Sequence, residues 1–133
     1  AAYSFHLGTG SSGTTDQLDL DSPNIALPIN IPSVNGFDSG TIKSHSIVNG
    51  IISFDDIDTF TTPLTISATT NLTDALNYLA QNIAAGDTVA FVADSNTYVF
   101  QGGVTVDTVV QLVGVSATGI DTTGTVSNSV WIV

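Results

Sequence analysis

The stretch Asn71–Gln101, NLTDALNYLAQNIAAGDTVAFVADSNTYVFQ, sets the fold class. Its first half places apolar residues at Leu72, Ala75, Leu76, Leu79, Ala80 and Ile83, one stripe on a helix of period 3.6. Asn71 stands where an N-cap belongs, and Asp74 holds the capping-box position near the positive end of the helix dipole. Gly86 suits a C′ residue, so the spacing predicts a helix over about 72–85. The second half changes character. Thr88–Ala93 and Thr97–Gln101 are rich in β-branched and aromatic residues, and Asp94-Ser95-Asn96 between them supplies the short polar side chains of a turn.

Outward from this helix and hairpin the chain reads as further strands. Ile47-Val48 and Ile51–Phe54 flank Asn49-Gly50, a strong hairpin signal because both turn residues tolerate positive φ. Thr61–Ser67, TTPLTIS, predicts another short strand. In Ile25–Gly36 the apolar positions alternate, and Pro28 and Pro32 confine the segment to a sheet edge or an extended connector. Phe37–Gly40 reads as a turn. Asp107–Val115, DTVVQLVGV, is too apolar for an exposed edge. Thr122–Ser127 reads as a polar linker and Ser129–Val133, SVWIV, as a last strand or packed tail. Residues 1–24 begin with the alternating AAYSFHLG and continue through turn-rich TGSSGTT, an extended arm or edge segment. The expected fold is a single β-rich domain over 1–133: an antiparallel β-sandwich or stacked sheets, with one amphipathic helix.

Charge narrows the function. All twelve acids among the 133 residues are Asp, Lys43 is the only Lys or Arg, and the formal charge is −11. One ammonium cannot balance that excess, so the Asp residues either stand apart in solvent or are held by cations from outside. The balance argues against nucleic acid and anionic membranes, which need Lys and Arg to displace counterions. No apolar run approaches the roughly 20 residues that span a bilayer, so membrane insertion is not expected. Charged residues are only 10%, against about 25% in an average domain. Such a neutral, Thr- and Ser-rich surface leaves little beyond shared negative charge to keep copies apart. With no Cys, thiol chemistry is excluded and stability must come from packing or metal.

The best metal candidates are two Asp clusters, Asp16/Asp19/Asp21 and Asp55/Asp56/Asp58. Ca²⁺ takes 6–8 oxygen ligands, and Asp-rich turns with nearby Asn and Ser supply them, although neither cluster follows the EF-hand loop pattern. The competing reading is a solvated acidic edge. His6 and His45 lack Cys or Glu companions and read as surface or edge-strand residues. Trp131, Tyr98, Phe91, Phe100 and Tyr78 offer a sugar-stacking platform, against the plainer expectation that they pack a core. There is no G-x-S-x-G elbow and no Gly-rich phosphate loop, so no enzyme is expected.

From about residue 34 onward the chain resembles the C-terminal region of bacterial type I-secreted proteins, including RTX and surface-layer-like ones. Val34-Asn-Gly-Phe37-Asp-Ser-Gly40-Thr-Ile-Lys43 is similar to that family's I-x-D-F-x-x-G-x-D-x-I segment, with Gly36 and Ile42 where acids are usual. Asp94-Ser-Asn-Thr-Tyr98-Val-Phe100 resembles its G-D-T-Y-V strand, and Asp107-Thr-Val-Val-Gln-Leu-Val-Gly114 its D-x-x-V-x-L-x-G. Ser129–Val133 resembles the type I signal ending, with Ser129 in place of the acid. The resemblance implies export without the general secretory route, an extracellular or cell-surface location, and folding promoted by external Ca²⁺. The expected function is a non-catalytic structural module that self-associates into a filament, surface layer or matrix. The alternative is a Ca²⁺-dependent adhesin that binds a surface polysaccharide.

Overall fold

The computed structural model describes residues 2–5, 16–20, 30–121 and 129–132. The strands are β1 (Ala2–Phe5), β2 (Asp16–Asp19), β3 (Asn30–Ser39), β4 (Ile42–Val48), β5 (Ile51–Asp55), β6 (Thr88–Ala93), β7 (Asn96–Gln101), β8 (Thr108–Leu112), β9 (Ile120–Asp121) and β10 (Ser129–Ile132); the helix is α1 (Leu72–Asn82). This is the expected class, mainly β with one helix. A seven-stranded sheet runs β1-β8-β7-β6-β5-β4-β3, and a three-stranded sheet runs β2-β10-β9.

The large sheet is covered on both faces. Against one face α1 packs Ala75, Tyr78 and Leu79 onto Ile47, Ile52, Phe54, Val89, Phe91 and Phe100. Against the other, Leu18, Leu20, Ile120 and Ile132 from the small sheet and its flanks meet Ala90, Val99, Val110 and Leu112. Two-sided burial explains why β6 and β7 are buried at nearly every position, where a half-exposed strand would alternate. A chain of ring contacts threads the helix-side core. Phe54 meets Tyr78 and Phe91 edge to face, with centroids 5.7 and 5.5 Å apart, and Phe91 stacks on Tyr98 at 5.2 Å.

Both predicted hairpin turns form, the second shortened to Asp94-Ser95 because Asn96 opens β7. Asn49 and Gly50 both take positive φ (52° and 77°) between β4 and β5, and Asp94 and Ser95 do so (52° and 62°) between β6 and β7, the geometry that matches strand twist. Gly50 also has no room for a side chain, since a Cβ would strike Ile120. The sheet is mixed rather than purely antiparallel: β5 lies parallel to β6 and β1 parallel to β8. A parallel neighbour needs a crossover, and residues 56–87, with α1, provide it.

The helix ends at Asn82, with Ile83 extended (φ −99°, ψ 124°), so Gly86 lies beyond the end rather than at C′. Asn71 occupies the N-cap: its backbone O accepts from Ala75 N at 2.9 Å, but its side chain makes no bond to the helix. Its side chain turns back, accepting from Ser67 N at 2.8 Å and donating to Thr65 O at 3.0 Å. Thr61–Ser67 forms no strand; Leu64 N donates one bond to Phe54 O and Ile66 is buried. Phe37–Ser39 continues β3, and the turn is Gly40-Thr41. The predicted linker Thr122–Ser127 lies outside the described residues.

Candidate functional site at the sheet edges

Among the described residues the large sheet ends in β1 on one side and β3 on the other. At the first end, Ala2, Tyr3, Ser4 and Phe5 stand opposite Val109, Val110, Gln111 and Leu112. Beneath β1 the strand β8 is apolar on both faces: Val109 packs toward the helix layer and Val110 and Leu112 toward the small sheet. The sequence reading of this segment as no exposed edge holds, and it is β1 that covers it.

At the second end, β3 leaves the ladder twice. Pro32 and Ser33 stand opposite Ser46 alone, and Gly36, Phe37 and Asp38 opposite Lys43 alone. Such bulges bend an edge strand. At the first, Ser46 Oγ donates to Ile31 O at 3.1 Å. At the second, α1 takes over. Phe37 N donates to Asn82 Oδ1 at 2.7 Å, Asn82 Nδ2 donates to Phe37 O at 3.0 Å, and Nδ2 also donates to Tyr78 O at 2.8 Å. Gly36 permits this approach, because a Cβ there would collide with Tyr78 Oη and Asn82 Oδ1. The Phe37 ring is left 73% exposed, beside a shallow depression of about 320 Å³ lined by Val34, Asn35, Gly36, Phe37 and Asn82.

Beneath this clasp lies a buried polar pair. His45 Nδ1 and Tyr78 Oη are 2.8 Å apart, with His45 4% and Tyr78 0% exposed. Burial lowers the His45 pKa, which favours neutral imidazole. The Tyr78 phenol is pushed up to about 12, chiefly by burial and further by Asp38, against the opposing pull of a hydrogen bond from the Gly36 backbone. His45 is therefore a core residue, not the surface or edge-strand residue expected. His6 lies outside the described residues.

Of the Asp clusters, Asp16 and Asp19 lie in β2, while Asp21 is outside the described residues. Asp55 ends β5 at 3% exposure. Its Oδ1 accepts from Asp56 N at 2.7 Å, and its Oδ2 from Thr61 N, Thr62 N and Thr61 Oγ1 at 2.8, 3.0 and 3.3 Å. Those donors, led by the Thr61 and Thr62 amides, hold its pKa down to about 2. Asp55 thus organises the loop that follows it, and Asp56 and Asp58 point to solvent. Among the described residues, no three His, Cys, Asp or Glu side chains gather as a metal-holding group. Tyr78, Phe91, Phe100 and Tyr98 are all core, and no helix is long and apolar enough to cross a membrane among the described residues.

Comparisons of the chain with protein-family models, curated protein sequences and solved structures return no match. The site's distinctive features lie at the sheet edges: the short strand β1 beside β8 at one end and β3 clasped by Asn82 at the other. Sequence reasoning missed Asn82 and the His45–Tyr78 pair. Asn82 follows Ala75, Tyr78 and Leu79 at i+7, i+4 and i+3, the spacing of one helix face, and that register was the available signal.

Proposed function

We propose that the chain is a non-catalytic, extracellular structural module of a bacterial type I-secreted surface protein, one that self-associates into a filament, surface layer or matrix. The observation that supports it is β1. Among the described residues Ala2–Phe5 pairs with β8 alone, at the rim of the large sheet, a partner 107 residues further along the chain. Everything β8 requires of that strand, four residues of extended backbone with the right faces, is offered equally by a second copy. Strand addition at an open edge gives affinity through main-chain hydrogen bonds, and exchanging an identical element is a low-barrier route to oligomers. Ca²⁺ belongs to the proposal through charge: cations held by a folded or assembled state carrying −11 stabilise that state by mass action.

The test uses light scattering with and without millimolar Ca²⁺, on the natural chain and on a locked variant. Ser4 and Gln111 are directly opposed and the chain has no Cys, so Ser4→Cys with Gln111→Cys makes one disulfide that ties β1 to its own β8. Association by the natural chain, lost on oxidation of the lock and regained on reduction, is the expected result. A strict monomer with and without Ca²⁺ rejects self-association, and assembly that ignores the lock rejects the β1 route.

A further inference from the structure

An open sheet end is indiscriminate: whatever extended backbone arrives can pair with it. If assembly proceeds at the β1 end, the ten-residue β3 at the other end is a competing site. It carries several features that oppose pairing. Pro32 lacks an N–H, two bulges break its line, and at the second bulge a helix side chain has taken the place of a neighbour. A primary amide offers one acceptor and two donors, so a single Asn can satisfy the N–H and C=O of one residue at once, as an opposing strand residue does in an antiparallel ladder. Asn82 does this to Phe37. Its second donor goes to Tyr78 O, which ties the amide back to its own helix and fixes its orientation. Phe37 itself is the most attractive feature of this edge, a large apolar side chain 73% exposed, so an unguarded backbone here would combine unpaired hydrogen-bonding groups with an apolar anchor.

We propose that Asn82 is an edge guard: its side-chain amide occupies the hydrogen-bonding place of an incoming strand at Phe37, keeping β3 closed to a second copy of this chain. Assembly is thereby confined to the opposite edge. The inference rests on the self-association reading above, and it makes Asn82 a residue whose removal increases association rather than weakening it.

The experiment places Asn82→Ala in the oxidised Ser4→Cys/Gln111→Cys background, where β1 cannot exchange, and compares it with the same locked protein carrying Asn82. Two quantities are read: hydrogen exchange at the Phe37 amide, and the associated fraction by light scattering. Removal of Asn82 is expected to release the Phe37 amide to fast exchange and to raise the associated fraction several-fold. An unchanged Phe37 exchange rate shows that Asn82 does not hold this backbone and overturns the proposal. A released amide without added association overturns it as well, since the edge is then open and still unpaired. Should the alanine variant fail to fold by circular dichroism, Asn82→Ser, which keeps a polar side chain too short for both bonds, is judged by the same two outcomes. The β1 reading fails separately, if the locked protein carrying Asn82 remains assembled.

Discussion

Replacing Tyr78 with Phe removes one oxygen and nothing else from the centre of the helix-side core. The lost bond is the 2.8 Å contact to His45 Nδ1, and both residues are almost wholly excluded from solvent. A buried polar atom left without its partner costs about 1–3 kcal/mol, whereas removing both partners together is close to neutral. For a chain of 133 residues the unfolding entropy is about 0.3 kcal/mol per kelvin, so Tyr78→Phe is expected to lower Tm by about 4–10 °C. His45→Leu leaves the phenol with only the Gly36 backbone bond and is expected to destabilise as well. The double variant should recover part of the loss, with a coupling of about 1 kcal/mol, above the 0.3–0.5 kcal/mol scatter of independent sites. Chemical denaturation of the four proteins at neutral pH measures the cycle. Strict additivity would show that the contact carries no energy of its own, and the account of His45 as a satisfied core residue would fall.

Phe54→Ala, at a side chain 1% exposed that touches both Tyr78 and Phe91, should lose about 3–5 kcal/mol in a denaturant titration. Stability should fall with acid in two steps, read from melts across pH. The His45 pKa is depressed below 6.5 by burial, so the unfolded chain binds the proton first and stability declines as pH falls below that value, a step absent in His45→Leu. The Asp55 pKa is about 2 against 3.8 unperturbed; its contribution is complete above 3.8, disappears as pH falls through 2, and should be reduced in Asp55→Asn. Ser95→Gly relieves a left-handed residue (φ 62°) and should raise stability by less than about 1 kcal/mol, since the greater chain entropy of glycine offsets part of what it gains in sterics.

How legible all this was depends on how local each feature is. Asn49-Gly50 and Asp94-Ser95 declare their turns within two residues, and both hairpins stand where the sequence places them. The period of α1 was equally plain, and Leu72, Ala75, Leu76, Leu79 and Ile83 of its stripe all reach the core; what the stripe did not show is the burial of Tyr78 in place of Ala80. The fully buried line is Ala75, Tyr78 and Leu79, while Ala80 faces solvent, because the helix lies across β3 and β4 and a tyrosine can be buried once its hydroxyl has a partner. That partner, His45, is 33 residues away and sits between two serines, a context that reads as polar surface. The parallel pairs are non-local in the same way. Strand, helix, strand in succession over β5, α1 and β6 is the ordinary signal of a crossover, and the strong antiparallel hairpin cues on either side of it masked that signal. Asp55 was picked out as a metal candidate by its neighbours in sequence, yet its hydrogen-bond donors include Thr61 and Thr62, a loop whose return toward β5 no spacing rule anticipates.

On the proposed reading the two edges have opposite tasks, and the difference decides what kind of object forms. A strand donated to a neighbour is a heterologous contact, in which each copy gives one surface and receives on another, so growth continues as a ring or an open filament. Pairing of β3 with a second β3 would be self-complementary and would end growth at a dimer, which a guarded β3 avoids. The net charge of −11 then sets the threshold, and screening must be separated from binding. Monovalent salt shortens the Debye length from about 30 Å at 0.01 M to about 10 Å at 0.1 M, which reduces repulsion between exposed carboxylates without occupying any of them. If screening alone is limiting, sodium chloride and calcium chloride at equal ionic strength should promote association equally. If Asp oxygens such as those of Asp56 and Asp58 hold the ion, calcium should act at concentrations where sodium does nothing, and chelator should reverse it. Equal potency of the two salts would remove calcium from the mechanism and leave charge screening to explain the threshold.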